Sequence, residues 1–246
     1  MTPPHAITPA LGDFPTWLNV LAWTSLGIGI ACTIGVAVDV IRRPQKMAVM
    51  NVVWPVSMLF GGFLWLGGYL RWGRTPAPSQ NADDAETPMA VAVGTGTNHC
   101  GAGCALGDLI AEWAAFLIPA VAVAFGWGWL FQDKMFAVWI LDFILAFGLG
   151  IIFQYFAIAP MRGLGLRKGL IEALKADAAS ITSWQVGMYG AMALIQLLLF
   201  PALFGGRAPV NSPEFWFAMQ WAMLLGFVTA YPVNWLLIRV GIKERM

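Results

Sequence analysis

Within one short stretch, Thr97-Asn98-His99-Cys100-Gly101-Ala102-Gly103-Cys104-Ala105-Leu106-Gly107-Asp108, the chain places one of its two histidines and two of its three cysteines. Glu112 follows. On a helix Cys100, Cys104, Asp108 and Glu112 are each four residues apart, so their stripe drifts by about 40° per step and neighbours share a face. His99 lies beside it. Thiolates and imidazole suit Cu(I), Zn(II) or another thiophilic ion. The carboxylates below them can accept protons or a second ion. The same residues also admit a packing role. Gly101, Gly103 and Gly107 let helices approach closely, and cysteine is a small core filler. The cysteine spacing is within the range of zinc pairs, but a structural zinc site needs a second ligand pair and there is no second Cys pair.

Other residues extend the soft-donor pattern. Met188 and Met192 are one helical turn apart, and Met219 and Met223 repeat that spacing. Each pair puts two thioethers on one face, as a soft-metal path requires, although methionine is also a common filler of apolar cores. Asp142 lies about a third of the way along an otherwise uncharged run. An acid at that depth reads as an ion or proton site, with a structural ion pair as the alternative. Asn51, Gln154, Tyr155, Gln220, Tyr231 and Asn234 also fall in apolar runs and need partners inside the protein.

These residues sit in a chain made for lipid. Of 246 residues, 59% are hydrophobic and 11% charged, with 13 Trp and 16 Phe. A soluble domain is about half apolar and a quarter charged. A net charge of +1 offers no field to nucleic acid. Phe14–Val38, Met47–Leu70, Trp113–Gln132, Ala178–Gly206 and Phe215–Ile238 carry no charge, and Met135–Ala159 carries only Asp142. A helix needs about 20 apolar residues to cross a bilayer, and lipid satisfies no backbone polar group. The expectation is therefore an all-α polytopic membrane protein, a bundle of six transmembrane helices. Leu166, Leu170 and Leu174 recur every fourth residue between Arg162 and Asp177. That pattern adds one short interfacial helix or, on the same periodicity, an extension of the fifth span. The first run is too long, and its flank too poor in basic residues, for a cleaved leader.

Organisation follows from polarity. Residues 1–70 form a two-span part, 71–98 a polar linker with Pro76, Pro78, Asp83, Asp84 and Glu86, and 99–246 a four-span part with the Cys motif. Ser212-Pro213-Glu214 reads as a helix start, and Pro55 and Pro232 as sites of kinking. Threading six spans puts nine Lys/Arg on one side and five on the other. The excess favours both termini in the cytoplasm. Arg42, Arg43 and Lys46 form a dense cluster on the losing side. Two histidines cannot build a His-rich di-iron or bis-His haem site, and no phosphate-binding glycine loop or Ser/His/Asp set is present.

The run from His99 to Cys104 with Leu106-Gly107-Asp108 and Glu112-Trp113 resembles the signature of the domain-of-unknown-function 4396 family of bacterial membrane proteins. So do Pro160-Met161-Arg162-Gly163, Glu172 to Asp177, Phe215 to Gln220, Tyr231 to Trp235 and Gly241-Ile242-Lys243-Glu244. The resemblance implies a polytopic architecture in the bacterial inner membrane and supplies no activity. From the residues themselves, the first expectation is binding and transport of a soft metal ion, Cu(I) favoured. His99, Cys100 and Cys104 capture it, Asp108 and Glu112 balance charge, and Asp142, Met188, Met192, Met219 and Met223 line a path. The alternatives are a proton or cation channel or carrier built on Asp108, Glu112 and Asp142, a membrane-embedded redox protein, and an accessory subunit. Whether the chain is an enzyme stays open. Expected partners are the lipid bilayer, a metal ion or small cation and further copies of the chain, with no nucleic acid.

Overall fold

The computed structural model describes residues 6–75 and 87–243. Helix α1 is Thr16–Arg42, and α2 is Met50–Gly68, continued by a π-helical turn at Tyr69–Gly73. Helix α3 is Met89–Leu117, and α4 is the short Pro119–Ala124. Helix α5 is Lys134–Arg162, and α6 is Leu166–Ala193, carried by π-helical Leu194–Leu199 into α7, Phe200–Phe204. Helix α8 is Pro213–Arg239. Among the described residues there is no strand, and six helical segments are long and apolar enough to cross a membrane. His5, Asp83, Asp84, Glu86 and Arg245 lie outside the described residues.

Helix ends follow local chemistry. Asp133 Oδ1 accepts from Met135 N, and Ser212 Oγ accepts from Phe215 N, with Pro213 in the first turn. Gly163 and Gly205 end α5 and α7 with φ of 60° and 73°. Two boundaries differ from the sequence reading. Helix α3 starts at Met89, inside the stretch read as linker, and stops before Pro119, whose ring disfavours helical backbone at Ile118. The third membrane-length helical segment is therefore Met89–Leu117, not Trp113–Gln132, and the Cys motif lies at its middle. The Leu166–Asp177 segment is no separate interfacial helix. It runs unbroken into α6, with no proline between Leu166 and Ala193 to stop it.

The bundle has two ends. At one, Ile7 N donates to Gln132 O, Gly12 N to Arg207 O, and Asn19 to Glu214, and Arg207 pairs with Asp133 at 2.6 Å. This is the Asp133 end. At the other, Lys243 reaches Gly96 O and Asp177, and Tyr231 reaches Ala90 O. This is the Lys243 end.

Helix α2 does not run straight. At Gly62 φ is 50° and ψ −132°, a conformation essentially confined to glycine. The chain reverses there. Trp54 stacks edge-on against Tyr69 (5.4 Å between centroids), and Phe60 against Trp65 (5.5 Å). Tyr69 OH and Arg74 both donate to Asp39, near the C-terminal end of α1. Asn98 on α3 clamps the two arms, accepting from Trp65 Nε1 and donating to Ser57 Oγ. The tip meets α1 beside Gly29, where an added Cβ would stand 2.9 Å from Leu59 O. Gln220 Nε2 donates to that same carbonyl at 2.6 Å, so a backbone group freed by the reversal is answered.

Helix α3 is the central strut. Its glycine edge meets α5 backbone to backbone. A Cβ on Gly107 would lie 2.6 Å from Ala146 N, and one on Gly103 2.8 Å from Gly150 N. Neither backbone can yield without parting the helices. Gly107→Val is therefore expected to cost at least the ~1–3 kcal/mol typical of overpacking. It should lower the unfolding midpoint of purified protein, or abolish its monodisperse elution. Gly148→Ala on α5, which meets nothing within 4 Å, should change neither.

Candidate functional site

The stripe expected on α3 faces inward. His99, Cys100, Cys104, Asp108 and Glu112 are all buried. At about 1.5 Å per residue, Cys100 and Glu112 are about 18 Å apart along the axis. The stripe therefore serves several places rather than one.

Towards the Asp133 end, Asp108 on α3 faces Asp142 on α5 with their carboxyls within hydrogen-bond reach of each other. Both are almost wholly buried, at 1% and 2% exposure. Tyr189 OH, from α6, donates to Asp142 Oδ2 at 2.7 Å and lies 3.1 Å from Trp139 O. Apart from Asp142, neither oxygen of Asp108 meets a hydrogen-bonding group. Two carboxylates at that distance in a low-dielectric interior repel strongly if both are ionised. One proton shared between them removes the repulsion and supplies the missing hydrogen bond. Asp142, already accepting from Tyr189, is the better supported anion, so the proton belongs on Asp108. Cys104 is an electrostatic neighbour of both acids.

Glu112 lies one turn beyond, within electrostatic range of Asp142 and Lys134. It lines a cavity of about 250 Å³ with Lys134, Gln196 and the Asp133–Arg207 pair, and the cavity reaches exposed Leu11. Lys134 donates to Ala115 O and rests over the Trp127 ring.

Towards the Lys243 end, Cys100 has neighbours of another kind. Its thiol donates to Asp177 Oδ1 at 2.9 Å and lies 2.8 Å from Ser180 Oγ. Lys243 Nζ donates to Asp177 Oδ1 at 2.6 Å, to Asn234 Oδ1 at 2.7 Å and to Gly96 O at 3.1 Å. Cys100 Sγ stands 3.4 Å from the same nitrogen. Burial works against the charge of Lys243, but the Asp177 carboxylate and then Cys100 outweigh it and hold its pKa above the ordinary lysine value. Cys104 is also an electrostatic neighbour of Cys100 and Asp177. The polar groups thus form a line from the Glu112 cavity to Lys243.

The soft-metal donors do not converge. Cys100 is engaged with an ammonium group, which takes the place a cation would need. Cys104 turns to the acids. His99 is an electrostatic neighbour of Lys243 and Asp177, but neither ring nitrogen has a hydrogen-bond partner. The register that sets Gly103 against Gly150 and Gly107 against Ala146 puts His99 level with Gln154, whose amide is also buried without a partner. Among the described residues no three His, Cys, Asp or Glu side chains stand together as a metal site. As arranged, the residues do not fit Cu(I) or Zn(II). Met188, Met192, Met219 and Met223 are all buried in one apolar core with Trp184 and Phe60.

Sequence reasoning passed over Asp177, Ser180, Tyr189 and Lys243 as site residues. Asp177, read as the end of an interfacial segment, had a usable signal. With Ser180, Trp184 and Met188 it forms a continuous helical stripe that brings an acid into the core. Lys243 carried no such signal, because nothing local says that a basic tail residue folds back under the bundle.

Comparison with known families matches residues 91–243 to the model described as Domain of unknown function (DUF4396). No curated protein and no solved structure matches the chain. The matched region covers α3 to α8 and holds every buried acid of the polar line, and on that match the chain belongs to the DUF4396 family.

Proposed function

We propose that this chain carries protons, alone or with a small cation, across the bacterial inner membrane through Asp108, Asp142 and Glu112, with its N-terminal end outside and its C-terminal end in the cytoplasm. The observation that carries the reading is the Asp108–Asp142 pair, two buried carboxyls from facing helices with no cation beside them. A pair that shares one proton can take up a second and release it again at modest electrostatic cost, because neither state leaves two facing charges. Intramembrane acids of this kind mark ion and proton paths. Glu112 links the pair to the cavity at the Asp133 end, and Cys104 links it to Cys100 and Asp177.

The orientation rests on the reversal at Gly62. With both ends of the Met50–Gly73 segment beside the end of α1, that segment enters and leaves by the same face, and the chain crosses five times. Arg42, Arg43, Lys46, Arg71, Arg74, Arg162, Arg167, Lys168, Lys175, Arg239 and Lys243 then share the Lys243 end, leaving Lys134 and Arg207 at the other. That is a far stronger bias than six crossings give, and it supports a cytoplasmic Lys243 end. The basic cluster at Arg42 to Lys46 ceases to be an anomaly. This proposed arrangement departs from the expectation that both termini lie in the cytoplasm.

Soft-metal binding is the second reading. It draws on the one-turn cysteine pair and on the unpartnered imidazole of His99, and it requires the donors to rearrange.

In liposomes loaded with a pH-sensitive dye, the wild type should relax a proton gradient. Asp108→Asn and Asp142→Asn should each slow it at least tenfold, whereas Cys100→Ser/Cys104→Ser, which keeps protic side chains, should stay within a few-fold. Undiminished flux in both acid variants sinks the proton reading. Elemental analysis of the same preparations decides the metal reading, which requires stoichiometric copper or zinc in the wild type and its loss in the cysteine double variant. For the orientation, single cysteines at Gln45 and Thr75 in a background lacking native cysteines should react with an impermeant maleimide from the same side, and one at Ser212 from the opposite side. Labelling of Gln45 and Thr75 from opposite sides would refute the five-crossing arrangement.

A further inference from the structure

The surroundings of Lys243 contain more acceptors than one ammonium can use. An ammonium on a side chain has three N–H donors. Around this one stand Asp177 Oδ1, Asn234 Oδ1, Gly96 O and Cys100 Sγ. These come from α6, α8 and α3, so the bundle builds the cage and the tail only fills it. Asp177, Asn234 and Cys100 are completely buried. Asn234 is fixed in orientation, because its Nδ2 donates to Ser180 Oγ and to Ala230 O, which turns its oxygen inward. Asp177 Oδ2 is buried with no donor at all.

The attachment of the occupant is slight. Gly241, with φ of 75°, turns the chain back after α8, and the amides of Ile242 and Lys243 both donate to Leu237 O. One glycine turn thus delivers the side chain into the cage.

The cage has the size and charge of a particular class of ion. Its oxygens stand 2.6 to 3.1 Å from the nitrogen. That is wider than the ~2.0–2.1 Å of magnesium and mostly wider than the ~2.3–2.6 Å of calcium. A single carboxylate supplies a single negative charge.

We propose that the Gly96–Cys100–Asp177–Asn234 cage is a binding site for a compact monovalent cation of ammonium or potassium size, and that Lys243 is its tethered occupant. The proposal is independent of proton movement, because it concerns binding and is read by stability rather than flux.

The test uses the full chain in detergent and the variant Lys243→Met. Unfolding midpoints are followed by tryptophan fluorescence in ammonium, potassium and choline chloride at equal ionic strength. The variant should unfold below the wild type in choline. It should rise saturably in ammonium or potassium, by about 5–10 °C at a hundredfold excess over Kd, while the wild type stays flat. Comparison of the two salts tells which ion the cage prefers. Lys243→Met/Asp177→Asn should not respond to any of the salts. The proposal is overturned if choline works as well, if the wild type or the double variant rises as steeply, or if Lys243→Met cannot be recovered folded in ammonium or potassium salt.

Discussion

No water reaches the middle of a bilayer, so each polar group held there must be answered by another group of the same protein. Nearly every specific feature of this fold is such an answer. The carbonyl exposed where α2 reverses is met by Gln220, the two arms of that reversal are joined by Asn98, and the Asp177 carboxylate is met by Lys243. His99, Gln154 and Gln185 go without a hydrogen-bond partner, and Asp108 stands out among these exceptions because its counterpart is another acid. A proton is the smallest object that resolves that pair. The functional reading therefore grows from the one place where the internal answers run short of a positive charge.

The geometry that permits this is supplied by α3. Small residues along one edge bring its backbone against α5, and that approach sets Asp108 opposite Asp142. A bulkier edge would hold the acids apart, each needing its own counter-charge. The glycines around the Cys motif and the acids below it are thus parts of one device. The packing and chemical readings of the motif are complementary rather than rival.

Much of the architecture was legible in the sequence. Long uncharged runs announced the membrane helices, and Ser212 with Pro213 announced a helix start that the hydrogen bond to Phe215 bears out. The inward face of the Cys100–Glu112 stripe followed from its four-residue spacing. Gln220, Tyr231 and Asn234, read as needing internal partners, all have them. What hydropathy could not reveal was direction. A run of apolar residues looks the same whether it crosses or turns back, and the turn depends on the backbone angles of Gly62, not on polarity. Pro55, the expected kink, lies within the first arm instead. Nor could spacing along one helix say which donors meet. Cys100 and Cys104 share a face of α3, but Cys100 bonds to Asp177 and Ser180 of α6 while Cys104 packs in the apolar core.

The pairing of Asp177 with Lys243 also bears on how the protein is made. Sixty-six positions separate the two, and α8 lies between them. On the ribosome the acid is therefore committed to the bilayer well before its counter-ion has been synthesised. Until then the ion pair cannot form. Closure of the Lys243 end is accordingly a late step of biogenesis, completed only after the final helix has been made.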